Sequence, residues 1–170
     1  MRFLPLNLTQ KLFINRGRHL KGGGSERLSE DEIREILAKY RTVAVVGLSR
    51  EPGKDSHRVS AYLKAHDFHI IPINPFATEI LGEKSYKSLL DIPHDVQKTI
   101  ELVDIFRPAE DVPSIVEQAI KLKTLYGTLQ VVWMQLGIAN EEAAEAAKKA
   151  ELTVIMNKCM MVEHNRLFSG

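Results

Sequence analysis

Short apolar runs alternate along this chain with longer stretches in which apolar residues recur every three or four positions. The runs at Thr42–Val46, Phe68–Ile73, Ile100–Phe106, Leu129–Met134 and Leu152–Met156 have the length and β-branched character of strands buried on both faces. Between them the helical spacing predicts Ser56–His66, with Val59, Tyr62 and Leu63 facing inward, and Asp111–Lys123, with Pro113 tolerated in its first turn. Asn140 is expected to cap an Ala-rich helix reaching Ala150, with Glu141 and Glu142 at its positive end, and a last helix covers Val162–Phe168. Ahead of the first strand, Ser29-Glu30-Asp31-Glu32 reads as a capping box opening a short helix whose apolar face is Ile33, Ile36 and Leu37. Leu81–Leu90 reads as irregular or as a short helix.

Strict alternation of strand and helix, with right-handed crossovers, predicts an α/β fold: one doubly wound, Rossmann-like, parallel five-stranded sheet, with strand order 3-2-1-4-5. Ligands of such sheets bind beyond the carboxyl ends of the strands. Gly47-Leu48-Ser49, Asn74-Pro75, Arg107-Pro108 and Gln135 to Gly137 all follow strand ends. Five strands could have put their polar ends anywhere, yet the unusual residues fall on one edge.

After the first strand, Gly47 ends the run in a tight turn, and the loop Gly53-Lys54-Asp55-Ser56 is expected to deliver Asp55 or Ser56 as a helix N-cap. Backbone N–H groups and the positive helix end would favour a phosphate there, as in a nucleotide-type ligand. A dinucleotide fingerprint would be G-x-G-x-x-G with an acid closing the second strand. Ser49 stands at the second glycine position and Asn74 closes the second strand, which disfavours a nicotinamide cofactor.

At 170 residues the chain suits one domain. Its 23 basic and 22 acidic residues give no global argument for nucleic acid. No apolar stretch approaches the roughly 20 residues of a membrane span. A single cysteine excludes an internal disulfide framework and fits a reducing compartment, so the cytoplasm is the expected location. The charge is uneven. Arg2, Lys11, Arg16, Arg18 and Lys21 precede Gly24 with no acid among them, and Gly22-Gly23-Gly24-Ser25 reads as a flexible joint. Residues 1–27 are therefore read as a basic extension or arm, and 28–170 as the domain.

The passage from Val43 to Pro75 resembles the small CoA-binding proteins with a Rossmann-like fold, relatives of the CoA-binding domain of succinyl-CoA synthetase alpha chains. The similarity runs from about Leu28 to the C-terminus. It is carried by Gly47-Leu48-Ser49 with Pro52 and Ser56, Ile73-Asn74-Pro75, Leu81-Gly82, Asp91-Ile92-Pro93, Val103 to Pro108, Trp133-Met134-Gln135, and Cys159 followed by Glu163 to Leu167. The order of these pieces, rather than any one of them, makes the match specific. Asp67 stands where the family has glycine, and Asn157-Lys158 where it more often has an arginine before the cysteine.

The resemblance implies coenzyme A as ligand, held by Gly47, Leu48, Ser49, Lys54, Ser56, Asn74, Pro75, Arg107, Gln135 and Gly137. Gly47, Leu48 and Ser49 would offer backbone N–H groups, Lys54 a cation, and Arg107 either a phosphate or adenine contact or a cap on a neighbouring carboxylate. Trp133, preceded by Val131 and Val132, reads as core. Cys159 with His164 could be a thiolate–imidazole pair or a buried packing cysteine, and zinc would need further soft ligands that the chain lacks. No catalytic or metal residue is assigned. The expected function is non-catalytic binding of CoA or an acyl-CoA, as carrier, sensor or regulatory subunit. A second copy or a protein partner stays open. The alternative is an oxidoreductase, nucleotide-dependent or using the Cys159 thiol.

Overall fold

A computed structural model describes residues 27–169. The basic arm expected at 1–27 lies outside the described residues, apart from Arg27. Ser29 caps helix α1 (Glu30–Lys39) through the full capping box, its hydroxyl accepting from Glu32 N–H while the Glu32 carboxylate accepts from Ser29 N–H. Strand β1 (Thr42–Val46) leads through a loop to α2 (Asp55–Ala65) and β2 (His69–Ile73). A hairpin of β3 (Glu79–Ile80) and β4 (Glu83–Lys84) follows, then a short helix α3 (His94–Gln97), β5 (Leu102–Ile105) and α4 (Val112–Tyr126). The chain closes with β6 (Val131–Met134), α5 (Glu141–Lys149), β7 (Thr153–Ile155) and α6 (Met160–Phe168). Asn140 caps α5 by accepting from Ala143 N–H.

All pairs within the five-stranded sheet are parallel, in the order β2-β1-β5-β6-β7. Both faces are covered, so β1, β5 and β6 are almost continuously buried. On one face Ala44, Val103 and Val132 pack with Ala119 and Leu122 of α4 and Ala143, Ala144 and Ala147 of α5. On the other, Val43, Val45, Leu102 and Trp133 pack with Ile33 and Leu37 of α1, Val59 and Leu63 of α2, and Met160 and Leu167 of α6.

The doubly wound α/β class is as expected. The neighbour relations differ from the expected 3-2-1-4-5 in one respect. Counted in chain order, the sheet runs 2-1-3-4-5, because β5 pairs with β1 rather than with β2. The reason lies in β2. Gly47 N–H donates to Ile73 C=O, so residue 73 faces β1 and residues 72 and 74 face the outer edge. Pro72 has no N–H there, so a strand paired along that edge would lack a ladder donor. Tyr86 occupies the edge instead, donating to Pro72 C=O and accepting from Asn74 N–H. The fully buried β5 therefore takes a central position.

Of the segment Leu81–Leu90, expected to be irregular or a short helix, Leu81 and Gly82 (φ 55° and 74°) make the turn of the β3–β4 hairpin, Glu83 and Lys84 form β4, and Leu89 opens a short 3-10 helix that runs to Asp91. Lys54, not Asp55 or Ser56, occupies the N-cap of α2, without a side-chain bond to the helix.

Candidate functional site

Beyond the carboxyl ends of β1, β2 and β5 lies a cleft of about 570 Å³. Val46, Gly47 and Ser49 contribute from the exit of β1, and Ile73, Asn74, Pro75 and Phe76 from the exit of β2. Lys87, Ser88 and Leu89 form another wall, Arg107 leaves β5 at the floor, and Ser114, Ile115 and Gln118 come from the first turns of α4. The positive end of a fifteen-residue helix therefore borders the space.

The turn after β1 depends on Gly47. Its φ is +87°, and a Cβ at this position would sit 2.8 Å from the carbonyl oxygen of Phe106 and 3.0 Å from Cδ of Arg107. Only glycine lets the turn lie against the exit of β5. Its N–H is taken by Ile73 C=O. Ser49 N–H donates to Ser56 Oγ at 3.0 Å, and Ser49 Oγ accepts from Glu51 N–H. Two of the three backbone donors expected for a phosphate are thus used to hold the loop itself. His57 Nδ1 donates to Ser49 C=O at 2.9 Å, which fixes its tautomer when neutral.

Asn74 is a clasp. Its Nδ2 donates to Leu48 C=O at 3.0 Å, and its Oδ1 accepts from Phe76 N–H at 2.8 Å. The loops after β1 and β2 are thereby joined, and Phe76 is left 87% exposed at the rim. Arg107 extends Nε and Nη2 to Asp111 Oδ2 at 3.1 and 2.7 Å, leaving Nη1 uncommitted among the described residues. The carboxylate-capping alternative for Arg107 is therefore realised, while the guanidinium still faces the cleft. Lys87 is exposed and forms no ion pair among the described residues.

Gly47, Ser49, Asn74, Pro75 and Arg107 are thus brought together, and the other five expected residues lie elsewhere. Leu48 is fully buried in the core facing α2. Lys54 stands exposed at the start of α2, and Ser56 is buried beneath Ser49. Gly137 donates its N–H to Asn157 Oδ1 at 2.7 Å. Gln135 is 3% exposed; its Nε2 reaches both carboxylate oxygens of the buried Asp104 and its Oε1 accepts from Met160 N–H. Lys87, Ser88, Ser114 and Phe76 were not anticipated. Phe76 directly follows Asn74-Pro75, which was the one signal in sequence.

Trp133 is core, with Nε1 donating to Lys158 C=O at 2.7 Å. Cys159 is the half-buried N-cap of α6, and His164 bonds Tyr62 Oη at 3.1 Å rather than the thiol. Among the described residues no group of three His, Cys, Asp or Glu could hold a metal ion. No described helix is long and apolar enough to cross a membrane. A second cleft, about 360 Å³, follows the outer edge of β7 between α1 and α5. None of the expected residues lines it, and its lysines Lys148 and Lys158 are paired with Glu145 and Glu163.

A family model described as a CoA binding domain matches residues 41–165. The YneT protein of Bacillus subtilis (strain 168), described only as uncharacterized, is 38% identical over 136 residues, covering 80% of this chain and 94% of that protein. An ADP-forming acetate–CoA ligase of Methanocaldococcus jannaschii is 30% identical over 142 residues, covering 79% of this chain but 20% of the ligase. Among solved structures, a hypothetical protein from Pyrococcus horikoshii OT3 superposes with a TM-score of 0.75 at 40% identity, covering 85% of this chain and 99% of that one.

Proposed function

The chain belongs to the CoA binding domain family, and from that premise we propose that its cleft binds coenzyme A or an acyl-CoA reversibly, without itself carrying out a reaction. One observation carries the reading: the cleft combines two cations, a helix N-terminus and an apolar trough, the features this ligand needs. CoA brings a 3′-phosphate, a pyrophosphate, an adenine and a long amphipathic arm. Lys87 and the free edge of Arg107 would neutralise phosphate charge, with the α4 N-terminus adding positive potential, while the Ser88 and Ser114 hydroxyls donate to Asp91 and to Asp111 C=O. Phe76 offers an exposed ring for the adenine, and Ile73, Leu89 and Ile115 offer apolar wall for the arm. Asn74 at the exit of β2 gives no carboxylate for a ribose diol, which weighs against NAD.

The non-catalytic part of the proposal rests on the cleft's contents. Among the described residues it contains one carboxylate, Asp111, already bonded to Arg107, and no cysteine or histidine. The match to only 20% of a relative named as a ligase supports a binding unit rather than the whole of that relative's reaction. A carrier, sensor or regulatory subunit is the role that follows.

Calorimetry with CoA, acetyl-CoA and NAD tests this. CoA or its thioester should bind more tightly than NAD, and Arg107→Ala and Lys87→Ala should each weaken CoA about tenfold, the value of one charge-assisted contact near 1.4 kcal/mol. NAD binding more tightly than CoA, or both variants binding CoA like the wild type, would refute it.

A further inference from the structure

Outside the cleft, the sheet contains one ionisable side chain with no exposure at all. Asp104 lies in β5 between Val45 of β1 and Trp133 of β6, and by two-residue alternation shares the face of Leu102, toward α1, α2 and α6. Its carboxylate oxygens accept from Gln135 Nε2 at 2.8 and 2.9 Å. Gln135 Oε1 accepts from Met160 N–H, the first residue of α6, at 3.3 Å. One amide thus faces an acid with its donor end and a helix start with its acceptor end.

That arrangement is complete only when the acid is ionised. A syn proton on either oxygen would face the Gln135 NH₂ group, donor against donor, and would leave one oxygen to accept where two do now. Gln135 can satisfy the new O–H only by turning its carbonyl toward Asp104, which points NH₂ at Met160 N–H instead. One acceptor cannot serve both ends, and an unpaired buried donor is costly. We propose that Asp104 and Gln135 form a proton-sensitive latch on the start of α6, engaged when Asp104 is ionised and loosened when it is protonated.

Burial opposes ionisation, and pushes the Asp104 carboxyl up to about 7 against the lowering by Gln135 and by the Ile105 N–H. The ionisable groups on the elements covering this face are Glu30, Asp31, Glu32, Arg34, Glu35 and Lys39 of α1, Asp55, His57, Arg58, Tyr62 and Lys64 of α2 with His66 just after it, and Cys159, Glu163, His164 and Arg166 at or in α6. Several are engaged elsewhere: Arg34 with Leu167 C=O, His57 with Ser49, Glu163 with Arg166, and His164 with Tyr62. None is a cause of the Asp104 shift. The latch therefore responds to its own proton, near neutral pH.

The test is NMR of the full chain between pH 5 and pH 9. The Asp104 carboxyl carbon and the Met160 amide should titrate with one midpoint. Protection of the Met160 amide, corrected for the intrinsic pH dependence of exchange, should fall at least tenfold on the acid side. Gln135→Ala should leave the Asp104 titration visible but uncouple Met160 from it, which a merely structural role would not do. Asp104→Asn should abolish both. If that variant fails to fold, the wild-type titration still decides. A Met160 amide that stays flat while Asp104 titrates, or an Asp104 carboxyl that does not titrate across the range, would overturn the proposal.

Discussion

Gly47→Ala is the most demanding perturbation of the turn, because the backbone itself obstructs it. The variant asks an L-residue to hold φ near +87°, which costs about 1–2 kcal/mol. It also sets a methyl group 2.8 Å from the Phe106 carbonyl oxygen, and relief of such overpacking adds about 1–3 kcal/mol. The expected loss is therefore about 2–5 kcal/mol, or about 5–15 °C in Tm for a chain of this size. Urea denaturation followed by circular dichroism measures it. A second variant separates the two obstacles, since Arg107 Cδ and Cγ also lie 3.0 and 3.2 Å from the new atom. Arg107→Ala removes those flexible carbons but leaves the carbonyl, which is fixed because Phe106 N–H donates to Val46 C=O. The double variant should regain less than about 1 kcal/mol of the loss, a small coupling for neighbours in contact. A single variant within about 0.5 kcal/mol of wild type, or a double variant that recovers most of the loss, would refute the reasoning.

Asp67→Gly should stabilise the protein by up to about 1 kcal/mol, read as a higher urea midpoint, because Asp67 is exposed with φ 66° and its side chain makes no bond among the described residues. His164 is held below its ordinary pKa by burial first and then by His66 and Arg41, so its contribution to stability is present above about pH 6.5 and is lost as pH falls through its lower folded value. His164→Phe should remove that acid-side loss in urea midpoints measured at pH 7.5 and 5.5; an unchanged difference would show that His164 is not its source. Asp104 acts with the opposite sign, since its raised pKa makes stability fall as pH rises from about 4 toward 7, so the comparison is best made in an Asp104→Asn background.

The elements were legible because each strand is a compact apolar run and each helix carries its own cap or periodicity, as with the Ser29–Glu32 box and Asn140. The order of strands was not read, although Pro72 held the clue. A proline in a buried run marks an edge strand, and the outward direction of residue 72 makes β2 that edge. The lining of the cleft was legible where a backbone need selects the residue, at Gly47 and Asn74. It was not legible at Lys87 and Ser88, whose approach depends on Tyr86 docking beside β2 after an intervening hairpin. Gln135 misled for the opposite reason. It lies just past a strand end, as a ligand residue would, yet its polar atoms are bonded to Asp104 and Met160, a partner set that spacing alone does not reveal.

The Asn74 clasp has a consequence for the speed of binding. Because Leu48 C=O and Phe76 N–H are tied through one side chain, two walls of the cleft hold their relative geometry before any guest arrives. Little loop entropy remains to be surrendered on association. Encounter should then be governed by diffusion and by the attraction of Lys87 and Arg107 for an anion, rather than by a slow gating step. Added salt would slow arrival while leaving departure almost untouched, the kinetic mark of a receptor built open.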